Sequence, residues 1–241
     1  MRTTTVNTKK NVRNRADSTP AVRADRAPAH ARIPRRPLIL AAGVVGFAVV
    51  ALFGLYVSAN GSKRANPTGG HYRFAVGDPK AGQPAPPIVL ASTAGGTFDL
   101  ATLKGKTVLL YFQEGVGCQP CWDQMRDIQT QRAEFTAAGI DEFVTITSNP
   151  LDLLTRKLAQ DKIPGPVLAD TGLAVSKTYH ANRYGMMGDT ADGHTFIVVG
   201  PDGVIRWRAD YGGAPDFTMF VPVPSLLADL KAGLAAGPGG S

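Results

Sequence analysis

The chain has 241 residues, of which 44% are hydrophobic, and a formal net charge of +7; this composition is ordinary for a globular protein. Residues 1–36 carry ten Lys and Arg against two Asp, whereas the other 205 residues carry 16 basic and 17 acidic side chains. A nucleic-acid-binding protein needs a basic face on its folded module. The near-neutral remainder offers none, so we expect no nucleic-acid partner.

Three segments are predicted to precede the globular domain. Residues 1–36 are polar and rich in Arg, Thr, Ala and Pro, so they cannot bury enough apolar surface to fold, and we expect a disordered tail. Residues 37–58 carry no charge, and as a helix they would span about 30 Å, the thickness of a bilayer core. A cleaved signal peptide is the alternative, but its apolar region is typically about 7–15 residues long. The longer run favours a transmembrane helix.

The basic flank predicts the orientation of this helix. By the positive-inside rule the tail remains in the cytoplasm, so the rest of the chain lies outside the cell membrane as the exposed part of a single-pass protein. Residues 59–75 are mostly small, polar and turn-prone, which is typical of a flexible tether. We expect the folded domain over residues 76–235 and a loose C-terminus over residues 236–241.

Strands and helices alternate in the predicted domain. Apolar or β-branched runs predict strands at residues 88–92, 107–113, 142–148, 166–170, 194–200 and 204–212. Amphipathic spacing and stop signals predict helices at residues 121–139, 150–162, 171–180 and 223–234. The turn Pro201–Gly203 makes the last two strands antiparallel. This order predicts an α/β layer fold with a mixed sheet.

Both cysteines lie in the sequence Cys118-Gln-Pro-Cys121, between a predicted strand and the helix that follows it. Open α/β sheets place their chemistry at this edge. The helix N-terminus has free N–H groups and a partial positive charge, which stabilise a thiolate and lower the pKa of a thiol. The spacing therefore indicates a redox-active pair, in which Cys118 attacks and Cys121, one turn deeper, resolves the mixed disulfide.

Other functions for the pair are less consistent with the sequence. A purely structural disulfide would close a very short loop and so remove little chain entropy. A structural zinc site needs four ligands, and the chain has no second cysteine pair. A copper carrier remains an alternative, because both cysteines, a histidine (His180 or His194) and the thioether of Met186 or Met187 would form a set that includes soft ligands. For dithiol chemistry we expect no cofactor and no bound metal.

The residues around the pair resemble a known family. The stretch from Val76 to Cys121, with a Gly-Asp-Pro lead, a Leu-Lys-Gly-Lys turn, an apolar strand and the CxxC motif, is similar to the start of extracytoplasmic TlpA-like thioredoxin proteins. It is also similar to the wider redoxin group that includes the AhpC/TSA peroxiredoxins. His194–Trp207 resembles the later hairpin of the family. The resemblance implies a thioredoxin-like fold and a disulfide Cys118–Cys121, with Cys118 as the attacking cysteine and Cys121 as the resolving one.

Three positions depart from the family pattern. TlpA-like proteins usually carry a cis-proline just before the later strand, where this chain has Gly193 and His194. Many carry a glutamate three residues after the second cysteine, where this chain has Gln124. Peroxiredoxins carry a threonine three residues before the peroxidatic cysteine, where this chain has Gly115, and this weakens the peroxidase interpretation. His194 and Thr195 nevertheless look more like the peroxiredoxin version of the strand.

These departures define the candidate auxiliary residues. Asp123 or Glu114 could substitute for the missing glutamate as a proton shuttle. His194, if it lies beside the thiols, could stabilise a thiolate when protonated. Gln124 and Thr195 complete the set.

We therefore predict a membrane-anchored, extracytoplasmic thiol-disulfide oxidoreductase. Its expected partners are exported protein thiols or disulfides and a membrane or small-molecule thiol redox partner. A peroxiredoxin-like thiol peroxidase is the first alternative, and a copper or other metal carrier is the second.

Overall fold

The computed structural model describes residues 72–237. The tail and the transmembrane helix predicted above, most of the predicted tether and residues 238–241 lie outside this range. Within it, no helix is both long and apolar enough to cross a membrane. The amide of Ala75 donates to the carbonyl of Asp210 over 3.0 Å, and the amide of Asp210 donates back over 2.9 Å. The chain thus joins the sheet one residue before the predicted start of the domain.

A mixed sheet of seven strands organises the described residues. The strands are β1 (Val89–Ser92), β2 (Thr97–Asp99), β3 (Val108–Phe112), β4 (Glu142–Thr147), β5 (Val167–Ala169), β6 (Thr195–Val199) and β7 (Ile205–Asp210). They lie in the order β2-β1-β5-β4-β3-β6-β7. Strands β3, β4 and β5 are parallel, whereas β1, β6 and β7 pair antiparallel with their neighbours. The predicted mixed sheet and final hairpin are confirmed.

Helices α1 to α5 accompany the sheet in the described part. They are α1 (Gln119–Thr130), α2 (Arg132–Ala137), α3 (Leu151–Asp161), α4 (Ala174–Thr178) and α5 (Val223–Ala236). The single helix predicted over residues 121–139 is wrong, because Gln131 has backbone angles of φ −104° and ψ 27°, outside the helical region. After this break, Phe135 of α2 packs into the same core as Ile128 of α1.

The alternation of side chains along β3 divides the interior into two cores. Leu109 and Tyr111 pack with residues of α1 and α5, whereas Leu110 and Phe112 pack into the core on the other face. All four side chains are fully buried, as expected of a central strand covered on both faces. The two cysteines lie at the N-terminus of α1, the helix that packs into the core containing Tyr111.

Candidate active site

The two cysteines lie where β3 leads into α1. Cys118 is the N-cap residue of α1, and Cys121 lies in its first turn. Their sulfurs form a disulfide, with the two Cα atoms 5.3 Å apart. The amide of Cys121 donates to the Sγ of Cys118 over 3.3 Å. Since this amide and the helix N-terminus both direct partial positive charge at one sulfur, they stabilise a thiolate on Cys118 after reduction.

The two cysteines differ in their exposure to solvent. Cys118 is 5% exposed, and Cys121 is fully buried. The neighbours of Cys118 in the chain, Gly117, Gln119 and Pro120, are exposed. An incoming sulfur compound therefore meets Cys118 before it meets Cys121.

Gly115 shapes the loop that leads to Cys118. Its φ of +92° lies in the left-handed region that favours glycine, and a Cβ at this position would overlap the side chain of Asn149. Its carbonyl accepts hydrogen bonds from the Nε1 of Trp122 over 2.9 Å and from the amide of Cys118 over 3.0 Å. The position at which peroxiredoxins carry a threonine has no room for a side chain in this protein.

Tyr111 and His194 form a buried polar pair beside Cys121. The hydroxyl of Tyr111 lies 3.2 Å from the carbonyl oxygen of Cys121 and 3.0 Å from the Nδ1 of His194. Burial raises the pKa of Tyr111 well above its ordinary value, and the charge of Glu114 adds to this shift. The hydroxyl therefore keeps its proton and can donate it in a hydrogen bond.

The charge of His194 differs from the one predicted. His194 is fully buried, and burial lowers its pKa to about 3. The imidazole is therefore neutral at neutral pH in the disulfide form, which argues against the predicted stabilisation of a thiolate by a protonated His194. The residue is connected to Cys121 through the hydroxyl of Tyr111 instead.

Gln124 holds a distant segment against the disulfide. Its side chain is fully buried, and its Oε1 accepts a hydrogen bond from the amide of Val221 over 2.6 Å. This contact ties the connection between β7 and α5 to α1. Met219, in the same connection, packs in one apolar cluster with Cys118 and Cys121. At the position where many TlpA-like proteins carry a glutamate, this chain thus has a buried glutamine that holds the connection between β7 and α5 by a hydrogen bond.

The remaining three candidates, Glu114, Asp123 and Thr195, make their hydrogen bonds with groups other than the cysteines. Their partners are the amides of Met186 and Met187 for Glu114, the side chains of Gln119 and Arg126 for Asp123, and the carboxylate of Asp210 for Thr195. The structure thus links Gln124 to the connection that carries Met219 and links His194 to Cys121 through Tyr111, and it directs the other three side chains elsewhere.

Sequence reasoning missed Tyr111 and Met219. For Tyr111 a local signal existed, because a hydroxyl in an otherwise aliphatic central strand requires a hydrogen-bond partner. For Met219 no local signal existed, because only the folded chain brings it to the cysteines.

The copper-carrier alternative finds no ligand cluster in the structure. Within residues 72–237, no group of three or more His, Cys, Asp and Glu side chains is placed to hold a metal ion. Met186 and Met187 are 58% and 59% exposed, whereas His194 is fully buried.

Comparisons with known proteins agree with this arrangement. The family model described as AhpC/TSA family matches residues 81–208. The protein named "Putative peroxiredoxin Rv2521" from Mycobacterium tuberculosis is 30% identical over 129 residues, which cover 52% of this chain and 80% of the relative. The thiol-disulfide oxidoreductase ResA of Halalkalibacterium halodurans is 29% identical over 101 residues, which cover 42% of this chain and 56% of the relative.

Solved structures share the fold. The peroxidoxin BcpB from Mycobacterium tuberculosis superposes with a TM-score of 0.53 at 19% identity, over 64% of this chain and 97% of that chain. AhpC from Enterococcus faecalis superposes with a TM-score of 0.54 at 14% identity, over 65% of this chain and 93% of that chain. At these identities the likeness shows the fold alone, and it confirms the predicted thioredoxin-like α/β architecture.

Proposed function

Because the chain belongs to the AhpC/TSA family, a family of thiol-based redox enzymes, we propose that it is a membrane-anchored, extracytoplasmic thiol-disulfide oxidoreductase. The observation that carries this proposal is the Cys118–Cys121 disulfide at the N-terminus of α1. There, one sulfur is polarised by an amide and partly accessible, and the other is buried within bonding distance. This asymmetry suits an exchange reaction in two steps.

In the proposed reaction, the reduced protein transfers two electrons to a partner disulfide. The Cys118 thiolate attacks one sulfur of the partner, so that a mixed disulfide forms and the other partner sulfur leaves as a thiolate. Cys121 then loses its proton to that thiolate and attacks the Sγ of Cys118. The Cys118–Cys121 disulfide closes, and the partner departs with both of its sulfurs reduced. The same steps in reverse oxidise a partner dithiol.

A thiol peroxidase is the second candidate, because relatives of this chain are named as peroxiredoxins. In that reaction the Cys118 thiolate would attack a hydroperoxide oxygen, releasing water or an alcohol and leaving a sulfenic acid on Cys118. Cys121 would then condense with the sulfenic acid and release water. The crowded position of Gly115, which excludes the threonine of peroxiredoxins, favours disulfide exchange instead.

Trapping of the covalent intermediate tests the proposal. In the full chain produced in its own membrane, Cys121→Ser cannot release the mixed disulfide, so we expect reducible adducts between Cys118 and exported proteins. The matched variant Cys118→Ser should give none. Hydroperoxide consumption is measured on the same two variants. If Cys121→Ser forms no adducts and still consumes hydroperoxide at the wild-type initial rate, the oxidoreductase proposal is wrong and the peroxidase is favoured.

The location is a separate part of the proposal, supported by the uncharged run within residues 37–58 and its basic flank. We expect the full chain to stay in the membrane pellet after alkaline extraction. After mild reduction of intact cells, a membrane-impermeant thiol reagent should label Cys118. A protein found in the alkaline supernatant, or labelled only after cell lysis, would contradict this location.

A further inference from the structure

Met219 packs with both cysteines of the disulfide. Cys118, Cys121 and Met219 form an apolar cluster of their own, and their exposed fractions are only 5%, 0% and 6%. Met219 belongs to neither a strand nor a helix, because it lies in the connection between β7 and α5. A flexible thioether from a loop thus packs in the same cluster as the two cysteines at which exchange must take place.

The backbone on both sides of Met219 is fixed. On one side, the amide of Thr218 donates to the carbonyl of Tyr211 over 3.1 Å. On the other, the amide of Val221 donates to the buried Oε1 of Gln124 over 2.6 Å. Gln124 lies one turn after Cys121, so the residue that holds Val221 and the disulfide both belong to α1. The main chain is held, and the side chain of Met219 is the part that can move.

The chemistry of this side chain points to a class of substrate. A methionine side chain is unbranched and adaptable, so it can be displaced by another apolar group at little cost. A small polar thiol that displaces Met219 has no apolar surface to replace the contact that Met219 makes with the cysteines. Phe217, close by in the same connection, is 42% exposed and adds apolar surface near Met219.

From these contacts we propose that Met219 is a specificity-determining gate, which holds small polar thiols away from Cys118 and yields to sulfur compounds that carry apolar groups next to the reacting sulfur. This inference rests on the proposed dithiol exchange and assigns its substrate class. The partner it describes is an exported protein whose reactive cysteine has apolar neighbours.

The test measures how fast the oxidised full chain is reduced by two probes. The probes are glutathione, which is polar, and benzyl mercaptan, which is apolar, and each rate is expressed per thiolate. Met219→Ala should raise the glutathione rate about three- to tenfold, because exchange depends on access to the sulfur. The rate with benzyl mercaptan should change less, so that the preference for the apolar probe narrows. Met219→Leu, which refills the space, should keep both rates within about twofold of the wild type.

Two further variants separate gating from stability. Met125→Ala removes a different buried methionine, which lies in α1 and outside the cluster of Cys118, Cys121 and Met219. This control variant should leave both reduction rates unchanged. Gln124→Ala removes the hydrogen bond to the amide of Val221 and should raise the rate of reduction by glutathione. This variant replaces Met219→Ala in the test if Met219→Ala does not fold.

Two results would overturn the inference. If Met219→Ala is reduced faster by both probes to the same extent, or is reduced no faster by either, Met219 does not select between polar and apolar thiols. If neither probe thiol nor dithiothreitol reduces the wild-type disulfide, the proposed function itself is contradicted. This outcome is seen in the wild type, so it is distinguishable from a failure of the inference about Met219.

Discussion

At the scale of single residues, Tyr111 links the site to its supporting core. Its ring stacks on Phe196 with the centroids 4.5 Å apart, and its hydroxyl contacts Cys121 and His194. Tyr111→Phe keeps the stacking and leaves a buried ring nitrogen of His194 without this partner. We expect a loss of about 1–3 kcal/mol in the free energy of unfolding, measured by denaturant titration of the oxidised protein. Unchanged stability would mean that the hydroxyl contributes nothing to the fold.

His194 gives a prediction for pH. Its pKa is lowered by burial to about 3, whereas the unfolded chain titrates near 6.5. The unfolded state therefore binds the extra proton first as the pH falls, and this stability is present above about pH 6.5 and lost toward pH 3. For one such group the slope is at most about 1.4 kcal/mol per pH unit. His194→Gln should flatten the fall in unfolding free energy over this window, and a variant with the wild-type slope would contradict the assignment.

At the scale of elements, a buried ion pair fastens β7 to its surroundings. Arg208 and Asp210 are 2% and 1% exposed and are joined by two hydrogen bonds of 2.8 Å. Arg208 also donates to the carbonyls of Pro79 and Tyr179, and Asp210 accepts from the hydroxyl of Thr195. The pair therefore connects β7, β6 and the segment that precedes β1.

Breaking this pair on one side should be costly. Asp210→Ala leaves the guanidinium of Arg208 buried without its carboxylate, and we expect a loss of about 3–5 kcal/mol of stability by denaturant unfolding. The double variant Arg208→Met with Asp210→Leu removes both charges and should lose less than Asp210→Ala alone. If the double variant loses as much as the sum of its two single variants, the two side chains are not energetically coupled.

The elements that could be predicted are those with local patterns. The run at β3 and the turn Pro201–Gly203 carry their own signals, because burial on both faces and hairpin geometry depend on neighbouring residues. The break at Gln131 carried no Gly or Pro signal. The approach of Met219 to the cysteines arises from the packing of separate elements. The sequence therefore predicted the position of the cysteines at the N-terminus of α1, and it could not predict the approach of Tyr111 and Met219 to them.

At the scale of the whole molecule, burial of acidic groups couples the fold to pH. Asp170 and Asp192 are 2% and 1% exposed. Asp170 directly follows β5, and Asp192 lies three residues before β6. Asp170 accepts hydrogen bonds from the amides of Ala174 and Ser176 and from the hydroxyl of Ser176, which fixes the start of α4. Asp192 differs, because burial raises its pKa well above the ordinary value, and the charge of Asp170 adds to this shift.

The raised pKa of Asp192 has a defined sign in stability. The unfolded chain releases this proton near pH 4, whereas the folded protein retains it to a higher pH. The free energy of unfolding therefore falls as the pH rises from about 4 through the folded pKa. Asp192→Asn removes the ionisation with little change in shape. We expect a higher Tm for the variant at pH 7, by about 2–4 °C for each kcal/mol regained, and no gain at pH 4. A gain of equal size at both pH values would assign the effect to packing and not to the charge of Asp192.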